Sequence, residues 1–79
     1  MKKQARHEAG IKAFGERLRE VRLSKGFTQE RLAYSADLEL SQISRIERGI
    51  INTSISQVFM IAAALGVPHK DLFDFELSA

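Results

Sequence analysis

Three glycines, Gly26, Gly49 and Gly66, cut the chain into short blocks, and the blocks carry apolar residues at helical spacing. In the first block Ile11, Phe14, Leu18 and Val21 recur at i, i+3, i+7 and i+10. They form one stripe of a 3.6-residue period, with Arg17, Arg19 and Arg22 around it. Gly26 stands where a C′ residue ends a helix. Thr28 can N-cap a second helix over 28–36, with Leu32, Ala33 and Ala36 on its inner face. Asp37-Leu38-Glu39 is a short break. Ile43 and Ile46 then mark a third helix over 40–48, with Glu39 as N-cap and Gly49 as its stop. Ser54-Ile55-Ser56-Gln57 reads as a capping box for a fourth helix that runs to Leu65. Its inward residues are Ile55, Val58, Ile61, Ala62 and Leu65. After Gly66 and Pro68, a last short helix over 69–74 places Leu72 and Phe73 on the core. No stretch alternates in the manner of a strand, and no internal repeat occurs. The expectation is all-α with five short helices. Residues 1–10 lack an apolar stripe and are interrupted by Gly10, so they read as a flexible or helical N-terminal arm. The folded domain is expected over 11–74, with 75–79 as a C-terminal tail.

A chain of 79 residues is one domain. At this size only about 60–65% of the unfolded surface is buried, so stability is marginal. There is no cysteine, hence no disulfide staple and no thiolate zinc site. Packing must hold the fold, and a partner subunit would help. His7 and His69 are far apart in sequence and have no cysteine partners, so no metal is expected. The longest near-apolar run, Val58 to Val67, is ten residues and is too short to span a bilayer. No apolar segment follows the basic residues 1–10, so no signal peptide is read and the expected location is the cytoplasm. An enzyme is disfavoured. The chain offers little volume for a substrate pocket, no nucleophile–base arrangement and no glycine-rich phosphate loop, and nothing calls for a cofactor. Charge is more informative when split along the chain. The total is +2, but residues 1–31 hold nine Lys+Arg and four Glu, a balance of +5. Residues 32–79 hold three Lys+Arg and six Asp+Glu, a balance of −3.

The informative stretch runs from Thr28 to Gly49. It contains two short helices separated by three residues. Ala33 is small where the second helix must approach the first, Leu38 plugs the turn, and Ile43 and Ile46 anchor the second helix. Its Ser41, Ser44, Arg45 and Arg48 face is left free. A short polar helix held in this way suits the major groove of B-DNA.

The pattern resembles the Cro/repressor-type (Xre-like) helix-turn-helix family of bacteria and phages. Phe14-Gly-Glu-Arg-Leu-Arg-Glu-Val-Arg22 is similar to the family's first helix, and Lys25-Gly-Phe-Thr-Gln-Glu-Arg-Leu-Ala33 to the entry of its second. Ile43-Ser-Arg-Ile-Glu-Arg-Gly49 is similar to its recognition-helix signature. Ile61-Ala-Ala-Ala-Leu-Gly-Val67 with Leu72-Phe73 is similar to its fourth and fifth helices. The resemblance covers 14–73. Asp37 is a departure, standing where the family usually has Gly. Asp tolerates a left-handed conformation at modest cost, so the turn should survive. The resemblance implies a five-helix, lambda-repressor-like domain. It also implies a sequence-specific double-stranded DNA-binding transcriptional regulator, most simply a repressor, associated with the nucleoid of a bacterium or encoded by a phage. By the same resemblance Gln29 matches a glutamine that bonds a phosphate and buttresses the recognition helix. Leu40, Ser41, Ser44 and Arg45 match base-facing positions, and Arg22 and Glu47 match a pair expected as a partly buried structural salt bridge. The chemistry of the residues is compatible. Arg45 can bond guanine O6 and N7 together, Ser41 and Ser44 can donate or accept, and Leu40 can touch a thymine methyl. Thr28 caps its helix and can bring N–H groups to a phosphate. Arg48 and Asn52 flank the loop after the recognition helix and are placed on the DNA backbone.

Phe59 and Met60 lie beside the inner face of the fourth helix, and Phe73, Phe75 and Leu77 add apolar surface near the C-terminus. These five residues are expected to form a homodimer interface, against the simpler readings of an enlarged core or a lone apolar patch. Two recognition helices would then lie about 34 Å apart and read a palindromic operator. A second functional reading is an antitoxin or adaptor. In it the arm and the apolar tail bind a protein partner and DNA binding is weak.

Overall fold

The computed structural model describes residues 5–77. It contains α1 (Glu8–Ser24), α2 (Gln29–Ala36), α3 (Leu40–Glu47), α4 (Ile55–Leu65) and a 3₁₀ helix (His69–Phe73). No strand occurs among the described residues. The expected five helices are thus four α-helices and one 3₁₀ helix. The last helix closes at a three-residue spacing, the Asp71 N–H donating to Pro68 O at 2.9 Å. An α-turn at this point would need the Asp71 carbonyl to accept from the Phe75 N–H. Instead Arg17 Nε donates to that carbonyl at 2.7 Å, and the Phe75 N–H donates to Phe73 O at 2.9 Å. Arg17 also lies 3.7 Å from Asp74 Oδ2, so one side chain of α1 clasps the whole turn.

α1 begins at Glu8, and Gly10 lies within it. The His7 ring caps it, Nδ1 accepting the Gly10 N–H at 2.9 Å. A Cβ on Gly10 would itself lie 2.9 Å from that nitrogen, so the glycine accommodates the cap. Of the expected arm and tail, residues 1–4 and 78–79 lie outside the described residues.

Every helix contributes to one core. Leu18 of α1, Leu32 of α2, Ile43 and Ile46 of α3, Ile61 of α4 and Leu72 of the 3₁₀ helix are fully buried. Each such side chain stabilises the fold by about 1.5–3 kcal/mol. Ile55, expected to face inward, is 73% exposed. It is the first residue of α4, and the buried stripe starts one turn later at Val58. Phe73 is half-exposed and lies against Phe14, with ring centroids 5.2 Å apart.

α1 crosses the end of α3 at Gly15. A Cβ there would collide with the Ile46 carbonyl oxygen and come within 2.8 Å of that of Glu47. The backbones therefore touch, and α3 is seated directly on α1. The turn between α2 and α3 is Asp37-Leu38-Glu39. Asp37 adopts φ 58° and ψ 43°, the left-handed conformation its position requires. The Leu38 N–H donates to Ala33 O at 2.9 Å, and its side chain packs on the core.

Candidate nucleic-acid interface

Successive residues of a helix are rotated by about 100°, so i, i+1, i+4 and i+5 share one sector about 140° wide. Leu40, Ser41, Ser44 and Arg45 have this spacing on α3. Ile43 and Ile46 point away from this sector, Glu47 lies at its edge next to Leu40, and all three are buried. The four expected base-facing residues thus lie on one outward face. Ser41 and Arg45 are exposed, Leu40 is 43% exposed, and Ser44 is half-buried.

The inward side fixes the orientation of this face. Arg22 Nε donates to Glu47 Oε2 at 2.6 Å, and Arg22 Nη2 donates to Glu47 Oε1 at 3.0 Å. Arg22 Nη1 donates to the Phe27 carbonyl at 2.9 Å. Gln29 Nε2 donates to Glu47 Oε1 at 2.9 Å. Both ends of the pair are buried, with side-chain exposures of 8% and 3%. Among the described residues no buried side-chain nitrogen or oxygen lacks a partner. One carboxylate therefore binds α3 to α1 and to the first turn of α2. Gln29 keeps a second amide hydrogen that is not committed to Glu47, and it is half-buried at the surface of the motif.

The remaining expected contacts are spread around this face. Thr28 is exposed at the N-cap of α2, and its Oγ1 accepts the Arg31 N–H at 3.0 Å. Arg48 is exposed at the C-cap of α3, its Nε 3.4 Å from Ser44 O. Asn52 is exposed in the loop that follows. One capping feature was not evident from the sequence, and one that was expected forms only in part. Gln42 Oε1 accepts the Glu39 N–H at 2.9 Å, which closes the first turn of α3. A glutamine three positions after the N-cap is the signal that could have found it. Conversely, Ser54 Oγ accepts the Gln57 N–H at 3.1 Å, but Gln57 Oε1 takes the Thr53 hydroxyl at 2.6 Å, so only half of that expected box forms.

Away from α3, Phe59, Met60, Phe73 and Leu77 are exposed, and Phe75 is half-buried against the core. Phe59 meets His69 edge-on, with centroids 5.4 Å apart. Ile55, one turn before Phe59, lines an open groove of about 520 Å³ with Ile11, Phe14, Phe73, Phe75 and Leu77. Among the described residues no three His, Cys, Asp or Glu side chains cluster as metal ligands, and no helix is long and apolar enough to cross a membrane.

Two short helices joined by a three-residue turn, with the second anchored from behind and open in front, define a helix-turn-helix domain. A sequence model of the helix-turn-helix family matches residues 18–72, and the chain belongs to this family of DNA-binding transcriptional regulators, whose members are not enzymes. It is 49% identical over 63 residues to Control protein C.BamHI of Bacillus amyloliquefaciens, covering 78% of each chain. Its fold is similar to that of the restriction-modification controller protein C.AhdI from Aeromonas hydrophila, with a TM-score of 0.80 and 40% identity over 82% of this chain and 98% of that one. The clp gene regulator ClgR from Corynebacterium glutamicum gives a TM-score of 0.77 and 30% identity over 80% and 82%.

Proposed function

We propose that this chain is a homodimeric repressor that reads a palindromic operator in double-stranded DNA through α3. The observation that carries this reading is the single outward face of Leu40, Ser41, Ser44 and Arg45 on a helix whose rear is locked by Glu47. Arg45 and the two serines offer hydrogen bonds to base edges, and Leu40 offers apolar contact to a thymine methyl. Thr28, Gln29, Arg48 and Asn52 hold phosphates, which sets register without reading sequence. The likeness to a restriction-modification controller supports a promoter of such a system as the regulated target. A repressor of this kind would work in the cytoplasm beside the nucleoid, which the bacterial relatives support.

The dimer is assigned to the apolar surface of α4 and the C-terminal segment. Ile55 and Phe59 stand four residues apart on one side of α4, both more than half exposed. Met60, Phe73, Phe75 and Leu77 extend that surface. A pair of such faces would bury side chains that one small core cannot cover.

Selection of binders from a random double-stranded pool at several salt concentrations tests the reading. A two-fold symmetric motif is expected, with affinity that falls as salt rises. No enriched motif and no salt dependence would overturn it. Arg45→Ala should flatten preference at one position per half-site, while Gln29→Ala should weaken all sites alike.

A further inference from the structure

The two parts of the apolar surface assigned to the dimer are held in different ways. α4 is rooted in the core through Val58, Ile61, Ala62 and Leu65. In the C-terminal segment no described side chain beyond Leu72 is buried, and α1 takes hold of it instead. The Phe14 ring lies 5.2 Å from that of Phe73. One turn later Arg17, its side chain 25% exposed, brackets the same residue. Its Nε donates to Asp71 O at 2.7 Å, and its Nη2 stands 3.7 Å from Asp74 Oδ2. Nη1 donates to Glu20 Oε1 at 3.3 Å within α1, so all three nitrogens of the planar fork are engaged. Gly15 lies between Phe14 and Arg17, and there the backbone of α1 meets the Ile46 and Glu47 carbonyls. It is rotated by about 100° from Phe14 and by about 160° from Arg17. A single turn of α1 therefore touches the end of the recognition helix on one side and the dimer segment on the other.

We propose that Arg17 is a positioning residue that sets the separation of the two recognition helices in the dimer, and so the half-site spacing that the protein accepts. This rests on the reading that α3 enters DNA and that α4 and the C-terminal segment join two copies. Phe73 and Leu77 then lie between the copies, and rotation of their segment against α1 turns one copy relative to the other. The apolar contact of Phe14 with Phe73 is non-directional and permits sliding. The bond from Arg17 Nε to Asp71 O is directional and does not. With recognition helices about 34 Å apart, each lies about 17 Å from the two-fold axis. A rotation of about 10° at that radius displaces α3 by about 3 Å, close to the rise of one base pair.

Operators with the selected half-sites set one base pair closer or farther apart test this. Wild type should bind both about 100-fold more weakly than the selected spacing, because the second recognition helix no longer engages. Arg17→Met keeps the apolar stem and removes every donor. It should lose less than about 10-fold on the shifted operators. Its half-site sequence and its affinity for a single half-site should stay those of wild type. A loss of stability alone would not move this ratio, since the same folded dimer binds every operator. Arg17→Lys keeps a charge beside Asp74 but replaces the fork with a point donor, and it should fall between the two. It also carries the comparison if Arg17→Met is not fully folded. Variants that stay dimeric and penalise the shifted operators as steeply as wild type would overturn the proposal and leave the dimer reading intact. So would a wild type that selects a two-fold motif but is indifferent to its spacing. A folded Arg17→Met that sediments as a monomer would also overturn it, making the clasp a condition of association rather than of spacing. A wild type that selects no two-fold motif would overturn both.

Discussion

Glu47 joins α3 to α1 and to the first turn of α2 through one carboxylate. It accepts from Arg22 twice, out of solvent, and from the half-buried Gln29 once, all at 2.6–3.0 Å. Removing it leaves a buried guanidinium with only the Phe27 carbonyl as partner. Loss of one member of a buried pair typically costs about 3–5 kcal/mol, because the surviving charge is desolvated and unpaired. Glu47→Ala should therefore leave the protein largely unfolded at room temperature, as far-ultraviolet circular dichroism would show. Arg22→Met with Glu47→Met should cost less than Glu47→Ala alone, since no charge then remains buried. A double variant as unstable as the single one would contradict this account. Gln29→Ala removes one hydrogen bond to a charged group and should cost about 1.5–3 kcal/mol. Part of its effect on DNA affinity thus reflects a looser α3, so affinity should be measured where the variant is fully folded.

Between elements, one close backbone approach and one left-handed turn decide the geometry of the motif. Gly15 lets α1 lie on the last carbonyls of α3, so Gly15→Ala forces the helices apart. Overpacking of this kind costs about 1–3 kcal/mol. Because α3 is the element displaced, operator affinity should fall as well. A denaturation midpoint in urea equal to that of wild type would show that the contact has slack. Asp37 is the opposite case, a non-glycine residue already at φ 58°. Asp37→Gly should raise stability by about 0.5–1 kcal/mol, seen as a higher urea midpoint at unchanged slope. The turn was legible in the sequence because its chemistry is local: Ala33, Asp37 and Leu38 declare it within six residues. The outward face of α3 was legible only in part this way: the spacing of Ile43 and Ile46 left Ser41, Ser44 and Arg45 free, whereas Leu40 was placed there by the family resemblance. The clasp of Arg17 on Asp71 O was not legible, since 54 positions separate them and no pattern in either segment announces it. Gly10 misled in the other direction. As a local signal it reads as a break, but the His7 ring uses it as the donor of an N-cap. Ile55 counted as apolar at a helical position, yet the first turn of α4 projects beyond the core.

At the scale of the molecule, a small core and a large uncovered apolar surface are two sides of one constraint. Among the described residues six large side chains are fully buried, while Ile55, Phe59, Met60, Phe73 and Leu77 remain between 37% and 73% exposed. A chain of this size has little stability to spare. Association through those residues would couple folding to protomer concentration, because the partner binds only the folded form. The thermal midpoint should therefore rise with protein concentration. A tenfold increase should stabilise the native dimer by about 1.4 kcal/mol of dimer, read as a shift of a few degrees. Phe59 tests the surface with little risk to the core, since it is 52% exposed and its ring meets His69 rather than the buried cluster. Phe59→Glu should sediment as a monomer, and its thermal midpoint should no longer depend on concentration. It should also bind a half-site as well as a full palindrome, since two linked recognition helices gain affinity only when both engage. A dimer that survives Phe59→Glu with its concentration dependence intact would place the interface elsewhere. The operator would then still be two-fold symmetric, with a half-site spacing set by that other interface.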